Sequence, residues 1–275
     1  MIRIIAPTAK LNTKFIKSGT VEGRYKVVQK LEEKFYNRIK RYKKAGKDSF
    51  EYISKAYNYV LEDRIALRVD KIPSSSTENS AVWSGHDLSK KHPEDVIGYL
   101  VKYRTDYPNE GFAGVRMDIL MHESNHLFTN ITNPKYVVRL NNVAKIDKNF
   151  KFMDFFITHF QSLMTPKECA QKTEELLKHI PEEQQVNVLQ NFRYNLIKEI
   201  TAYDSGNRYY ERDELFKPKE GNDFCPNQVE LMGMREKLAD VTERLRKMLI
   251  QKRADIKSKV MLHNKKQLLY NKKGD

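Results

Sequence analysis

The chain has 275 residues, two cysteines and a formal charge of +14, from fifty Lys+Arg against thirty-six Asp+Glu. That length buries a full core in one large domain or two small ones. No apolar run approaches the eighteen or so residues of a membrane span. The start, Met1 to Lys10, turns polar too soon for a secretory leader, so the expected location is the cytoplasm, or export without a cleavable signal. Cys169 and Cys225 lack C-x-x-C spacing, which argues against a Cys-ligated zinc site.

In chain order, the first twenty residues are irregular. A helix is predicted from Thr20 to Lys44, with Val21, Tyr25, Val28, Leu31, Phe35, Ile39 and Tyr42 recurring at spacings of three and four and Gly46 ending it. Ser49 is the expected cap of a second helix that carries Phe50, Ile53, Tyr57 and Val60. Ile65 to Val69 alternates as a strand does, Pro73 to Thr77 reads as a loop, and Ala81 to Trp83 as a second short strand. Pro93 is placed as the first residue of a helix reaching Arg104.

Gly111 to Gly114 forms a flexible entry to an uninterrupted helical segment, Val115 to Thr132. Beyond the break at Asn133-Pro134, Tyr136 to Ile146 is a strand or a lid-like loop, and a Phe-rich helix covers Asn149 to Met164. Thr165-Pro166 starts a helix to His179, another spans Glu182 to Ser205 with Gly206 as its stop, and a last one runs from Asn227 to Leu262. The class is therefore α+β, predominantly α-helical, with a small sheet. Three regions are expected within one compact unit: 1–62 helical, 63–226 the core, and 227–275 a basic helix.

The chemistry concentrates in His122-Glu123-Ser124-Asn125-His126, an H-E-x-x-H motif. Residues four apart share a helix face, so both imidazoles can address one metal ion. Glu123 stands about 100° around the helix, where its carboxylate reaches water at an open coordination position instead of the ion. With seven histidines in the chain, chance supplies on the order of 0.02 such motifs. The competing reading, a partly buried helix with hydrogen-bonded histidines, leaves the intervening glutamate without a role.

A hydrolytic zinc site takes three protein ligands and keeps a fourth position open. Thr129 stands where a metzincin has glycine and no third histidine follows, which excludes that pattern. Glu199, in a segment running to Ala202, Tyr203 and Asp204, is the leading third donor. The small Ala202, one turn on, lets its helix approach the motif helix. Asp204 and His159 are the rivals, although the apolar Phe155 to Phe160 setting suits a core histidine better. His86 and His92 fall in loop sequence.

His122-Glu123-x-x-His126 with a distant Glu199-x-x-Ala202 resembles the gluzincin branch of the zincin metallopeptidases. The resemblance covers about a tenth of the chain. It implies a zincin-like domain with its sheet beside the motif helix, an edge strand that an extended substrate can join, and Zn2+ held by His122, His126 and Glu199. Glu123 becomes the catalytic base of a zinc-dependent endopeptidase acting on protein substrates. Tyr203, Arg208, Tyr209 and Tyr210 are candidates for the oxyanion donor, with Tyr203 assigned as catalytic. Tyr203-Asp204 departs from relatives with Asp directly after the Ala. The profile also resembles proteases that bacteria inject into host cells.

The charge sets up the alternative. Residues 241 to 275 carry eleven Lys/Arg and three Asp/Glu, so +8 of the +14 lies there. This fits a module that binds nucleic acid or an acidic protein, with a structural or vestigial metal site. Only Tyr270 offers a stacking platform in that stretch. Leu245, Leu249, Ile256, Val260 and Leu268 are expected to pack on the domain, which leaves the basic faces to steer an acidic target.

Overall fold

The computed structural model describes residues 21–62, 65–76, 80–84, 98–107, 111–132, 164–212 and 228–271. They form a predominantly α-helical α+β protein. The helices are α1 (Val21–Lys44), α2 (Glu51–Leu61), α3 (Met117–Thr132), α4 (Pro166–Lys178), α5 (Glu182–Arg212) and α6 (Gln228–Asn271). The strands are β1 (Ala66–Ile72), β2 (Ser80–Ser84), β3 (Gly98–Arg104), β4 (Gly111–Phe112) and β5 (Val115–Arg116). None of the described helices is long and apolar enough to cross a membrane. The expectations for Tyr136 to Ile146 and, but for Met164 at its end, Asn149 to Met164, and for His86, His92, His159 and Cys225, lie outside the described residues.

The chain divides into two compact units, residues 1–139 with 198–228 and residues 140–197 with 229–275. In the first, α1 buries Val28, Leu31, Phe35 and Ile39 of the stripe read from its periodicity, and Tyr36 beside them, whereas Tyr25 of that stripe is exposed. Two hydrogen bonds close its end, Lys47 N to Tyr42 O at 2.8 Å and Gly46 N to Lys43 O at 3.0 Å, the Schellman pattern. The second helix is not capped by the Ser49 hydroxyl, which is buried without a hydrogen-bond partner among the described residues. Phe50 is the N-cap, and the Ser49 carbonyl accepts from Tyr52 N in a tight first turn.

The three-stranded sheet has the order β1-β3-β2, with β3 parallel to β1 and antiparallel to β2. Its central strand corrects the helix expected to end at Arg104. Within the described residues Tyr99, Val101 and Tyr103 are buried in strict alternation, a period of two that a helix cannot satisfy. Residues paired across a ladder share a face. Val101 therefore sits between Val69 and Val82, while Tyr103 faces Ser80 on the core side.

The glycine-flanked entry to the motif helix is a built hairpin, and the helix begins at Met117 instead of Val115. Phe112 pairs with Val115 across Ala113-Gly114, whose φ values of 56° and 73° are the two positive angles that a type I′ turn demands. Asp48 accepts from Ala113 N, and Lys43 Nζ bridges Asp48 (2.9 Å) and Gly111 O (3.0 Å). The Arg116 guanidinium then binds both carboxylate oxygens of Asp118 in the first turn of α3 (3.1 and 2.6 Å).

In the second unit α4 starts with a complete capping box: Thr165 caps it, Glu168 answers, and Pro166 stands at the first turn. Cys169 is free and buried, and burial pushes its thiol pKa up. Helix α6 outruns its expected end at Leu262. Leu245 is buried, but Leu249 is 37%, Ile256 62% and Val260 53% exposed. Of the face expected to pack, Leu245 does and Leu249, Ile256 and Val260 do not, while the side chain of Leu268 lies outside the described ones.

Candidate metal centre

Helix α3 is buried along almost its whole surface, with thirteen of its sixteen residues inside. The exceptions are Ile119, His122 and Thr129, which share one face at spacings of three and seven. The motif therefore meets solvent along a single stripe, with His122 at its centre and the more buried His126 one turn on.

Helix α5 faces that stripe. Contrary to expectation it does not stop at Gly206 but continues to Arg212. A Cβ on Gly206 would lie 2.7 Å from the Asp118 carbonyl oxygen, so glycine is present because the two helix backbones nearly touch there. Ala202, one turn earlier, is fully buried. This close approach carries the Glu199 carboxylate to the histidines.

His122 Nε2 and His126 Nε2 are 3.0 Å apart, His126 Nε2 and Glu199 Oε2 3.2 Å, and His122 Nε2 and Glu199 Oε2 3.5 Å. Two nitrogens and an oxygen at the corners of one small triangle form a group that could hold a metal ion. Four ligands at about 2.0–2.2 Å from a tetrahedral zinc stand about 3.3–3.6 Å from each other, so the triangle is close to the right size. Two imidazoles disfavour Mg2+ and Ca2+, which take oxygen donors. The Nδ1 of His126 is buried with no hydrogen-bond partner among the described residues, unlike the usual partnered second nitrogen of a ligating histidine.

The electrostatics follow the same geometry. Burial by itself raises the Glu199 pKa, but the adjoining His126 and hydrogen bonds from both histidines outweigh it and hold the carboxyl well below the ordinary range. Burial opposes charge on His122, yet Glu199 and Glu123 beside it raise its pKa. At His126 burial prevails and the pKa falls. The group thus offers an ionised carboxylate and one imidazole kept neutral, both suited to a cation.

Glu123 is 6% exposed, and Ser80 Oγ donates to its Oε1 at 2.6 Å. The β2–β3 register accounts for this contact: Ser80 is paired with Tyr103, whose hydroxyl is bonded to Tyr57 at the same core face. Tyr57 in turn meets Ser124 Oγ at 2.8 Å. Tyr203 packs its ring edge-on against His122, with centroids 4.5 Å apart. Asp204 is not among the grouped donors.

The other oxyanion candidates have different engagements. Arg208 reaches Tyr25 (3.2 Å) and Glu32 (3.8 Å). Tyr209 donates to Glu33 at 3.1 Å, and burial raises its pKa. Tyr210 packs against the hydrophobic core. Sequence reasoning missed Ser80 and Glu32 as neighbours of the motif, because each reaches it only through tertiary pairing. Comparison with protein families, with curated proteins and with solved structures finds no significant match.

Proposed function

We propose that the protein is a zinc-dependent endopeptidase of gluzincin type, with His122, His126 and Glu199 as the ligands and Glu123 as the general base. The observation that carries this reading is the donor triangle of 3.0, 3.2 and 3.5 Å, with a carboxylate from the same motif beside it. When bound, zinc would supply Lewis acidity, lowering the pKa of water toward neutrality and polarising a carbonyl. Glu123 takes a proton from the attacking water and returns it to the leaving amine. Its hydrogen bond from Ser80 fixes one oxygen and leaves the other for that proton. Tyr203, against the His122 ring, is the donor assigned to the developing oxyanion.

A protein substrate suits the surroundings. Among the described residues strand β2 lies at the sheet's edge with Ser80 at its start, so an extended peptide joining that edge would pass the base. The positive charge carried along α6 is read as drawing an acidic target to the protein. The test pairs metal analysis with a single substitution. Purified protein should carry about one zinc per chain, and Glu123→Ala should keep the zinc while losing cleavage of an unstructured protein substrate. A folded protein that takes up no zinc, or a Glu123→Ala variant that still cleaves, overturns the reading.

A further inference from the structure

Glu32 lies on α1, ninety-three residues before its partner in the motif, and is 1% exposed. Its Oε1 accepts from Asn125 Nδ2 at 2.7 Å and from Ser205 Oγ at 2.8 Å, while Arg208 stands 3.8 Å from its Oε2. Asn125 immediately precedes the ligand His126. Its second polar atom is also used, since Thr201 Oγ1 donates to Asn125 Oδ1 at 3.4 Å. These contacts close a ring from Thr201 on α5 to Asn125 on α3, to Glu32 on α1, and back to Ser205 on α5. Thr201 and Ser205 are four apart, hence on one face of α5, and Glu199 is two residues before the first of them.

From this ring we infer that Glu32 is a positioning residue for the metal centre, one that sets the separation of the two helices supplying the ligands. The inference rests on the metal reading above. A carboxylate this deeply buried is costly unless its oxygens are matched, and here the matching donors come from both ligand-bearing helices. One oxygen serves α3 and α5 together, so displacing either helix breaks a bond to it. Ser124 and Asn125, the two unspecified positions of the motif, thereby take different tasks. Ser124 anchors α3 to α2 through Tyr57, and Asn125 sets its distance from α5.

The experiment measures Zn2+ affinity by chelator competition and the visible spectrum of the Co2+-substituted full chain, for wild type, Glu32→Ala and Glu32→Gln. Glu32→Ala should bind zinc ten- to hundredfold more weakly, in the range found for residues that orient metal ligands, and should alter the cobalt bands at saturating metal. Glu32→Gln keeps an oxygen that can accept both bonds, so its affinity should return to within about threefold of wild type and its cobalt spectrum should be restored. A purely structural role would lower stability without moving the cobalt spectrum. A folded Glu32→Ala with wild-type affinity and spectrum overturns the inference, as does a Glu32→Gln no better than alanine. If Glu32→Ala does not fold, Asn125→Ala and Ser205→Ala each open the ring at one bond and should weaken zinc several-fold; no effect from either overturns it. A wild type that binds no metal removes the metal reading itself, and the inference with it.

Discussion

Replacing the helical glycines Gly206 and Gly233 by alanine should act in opposite directions. Alanine in a helix interior is favoured over glycine by about 0.8–1.0 kcal/mol. At Gly233, where nothing lies within 4 Å of an added Cβ, that gain should be realised nearly in full. At Gly206 the added Cβ would stand 2.7 Å from the Asp118 carbonyl oxygen, against the 3.4 Å at which contact becomes ordinary. The helices must separate by about 0.7 Å to restore contact, and the obstacle is backbone, which cannot rotate aside. Overpacking of this kind costs about 1–3 kcal/mol, so Gly206→Ala should lose about 0–2 kcal/mol net after its propensity gain. Because α5 also carries Glu199, the same displacement should stretch the two carboxylate–imidazole distances and weaken zinc binding. Urea unfolding and zinc competition on both variants check this. If Gly206→Ala is stabilised as much as Gly233→Ala and binds zinc normally, the close helix approach is wrong.

Glu199→Ala should reduce zinc affinity as strongly as His126→Ala, whereas Asp204→Ala should leave it near wild type; competition titrations showing the reverse order would mean that the wrong carboxylate has been assigned. Tyr203→Phe should lower kcat about a hundredfold with zinc content unchanged, in line with losing one oxyanion donor, and unchanged kcat would remove Tyr203 from the mechanism. The Glu33 carboxylate is held below its usual pKa by hydrogen bonds from Arg212 and then Tyr209. A depressed folded pKa contributes stability above the unfolded value, about 4.3 in short peptides, and that contribution is lost as pH falls through the folded one. Glu33→Gln should therefore cost about 0.5–1 kcal/mol at pH 7, a figure reduced because the side chain is 40% exposed, and the gap from wild type should narrow in urea titrations below about pH 4.

What the sequence determined was local. The spacing of His122 and His126 puts both on one face once a helix forms, and the recurring apolar stripe of α1 and the Thr165-Pro166-x-Glu168 start of α4 read directly because caps and periodicity act within a few residues. Where prediction failed, a long-range contact overrode a local signal. Gly206 reads as a helix stop but is a contact point, because it is Asp118 that requires glycine there. Gly98 to Arg104 reads as the continuation of a proline-started helix, yet pairing with β1 and β2 makes it the centre of a sheet. Ser49 reads as a cap, but in the tight first turn its carbonyl accepts from Tyr52 N while its hydroxyl has no partner among the described residues. The triangle itself needed the tertiary structure: Glu199 is seventy-three residues from His126, and no spacing rule fixes such a distance. Ser80 reaches Glu123 through strand register, and Glu32 reaches Asn125 through helix packing. A buried carboxylate takes its partners from whichever elements the fold brings beside it, so sequence could propose the donors while packing alone set the distances between them.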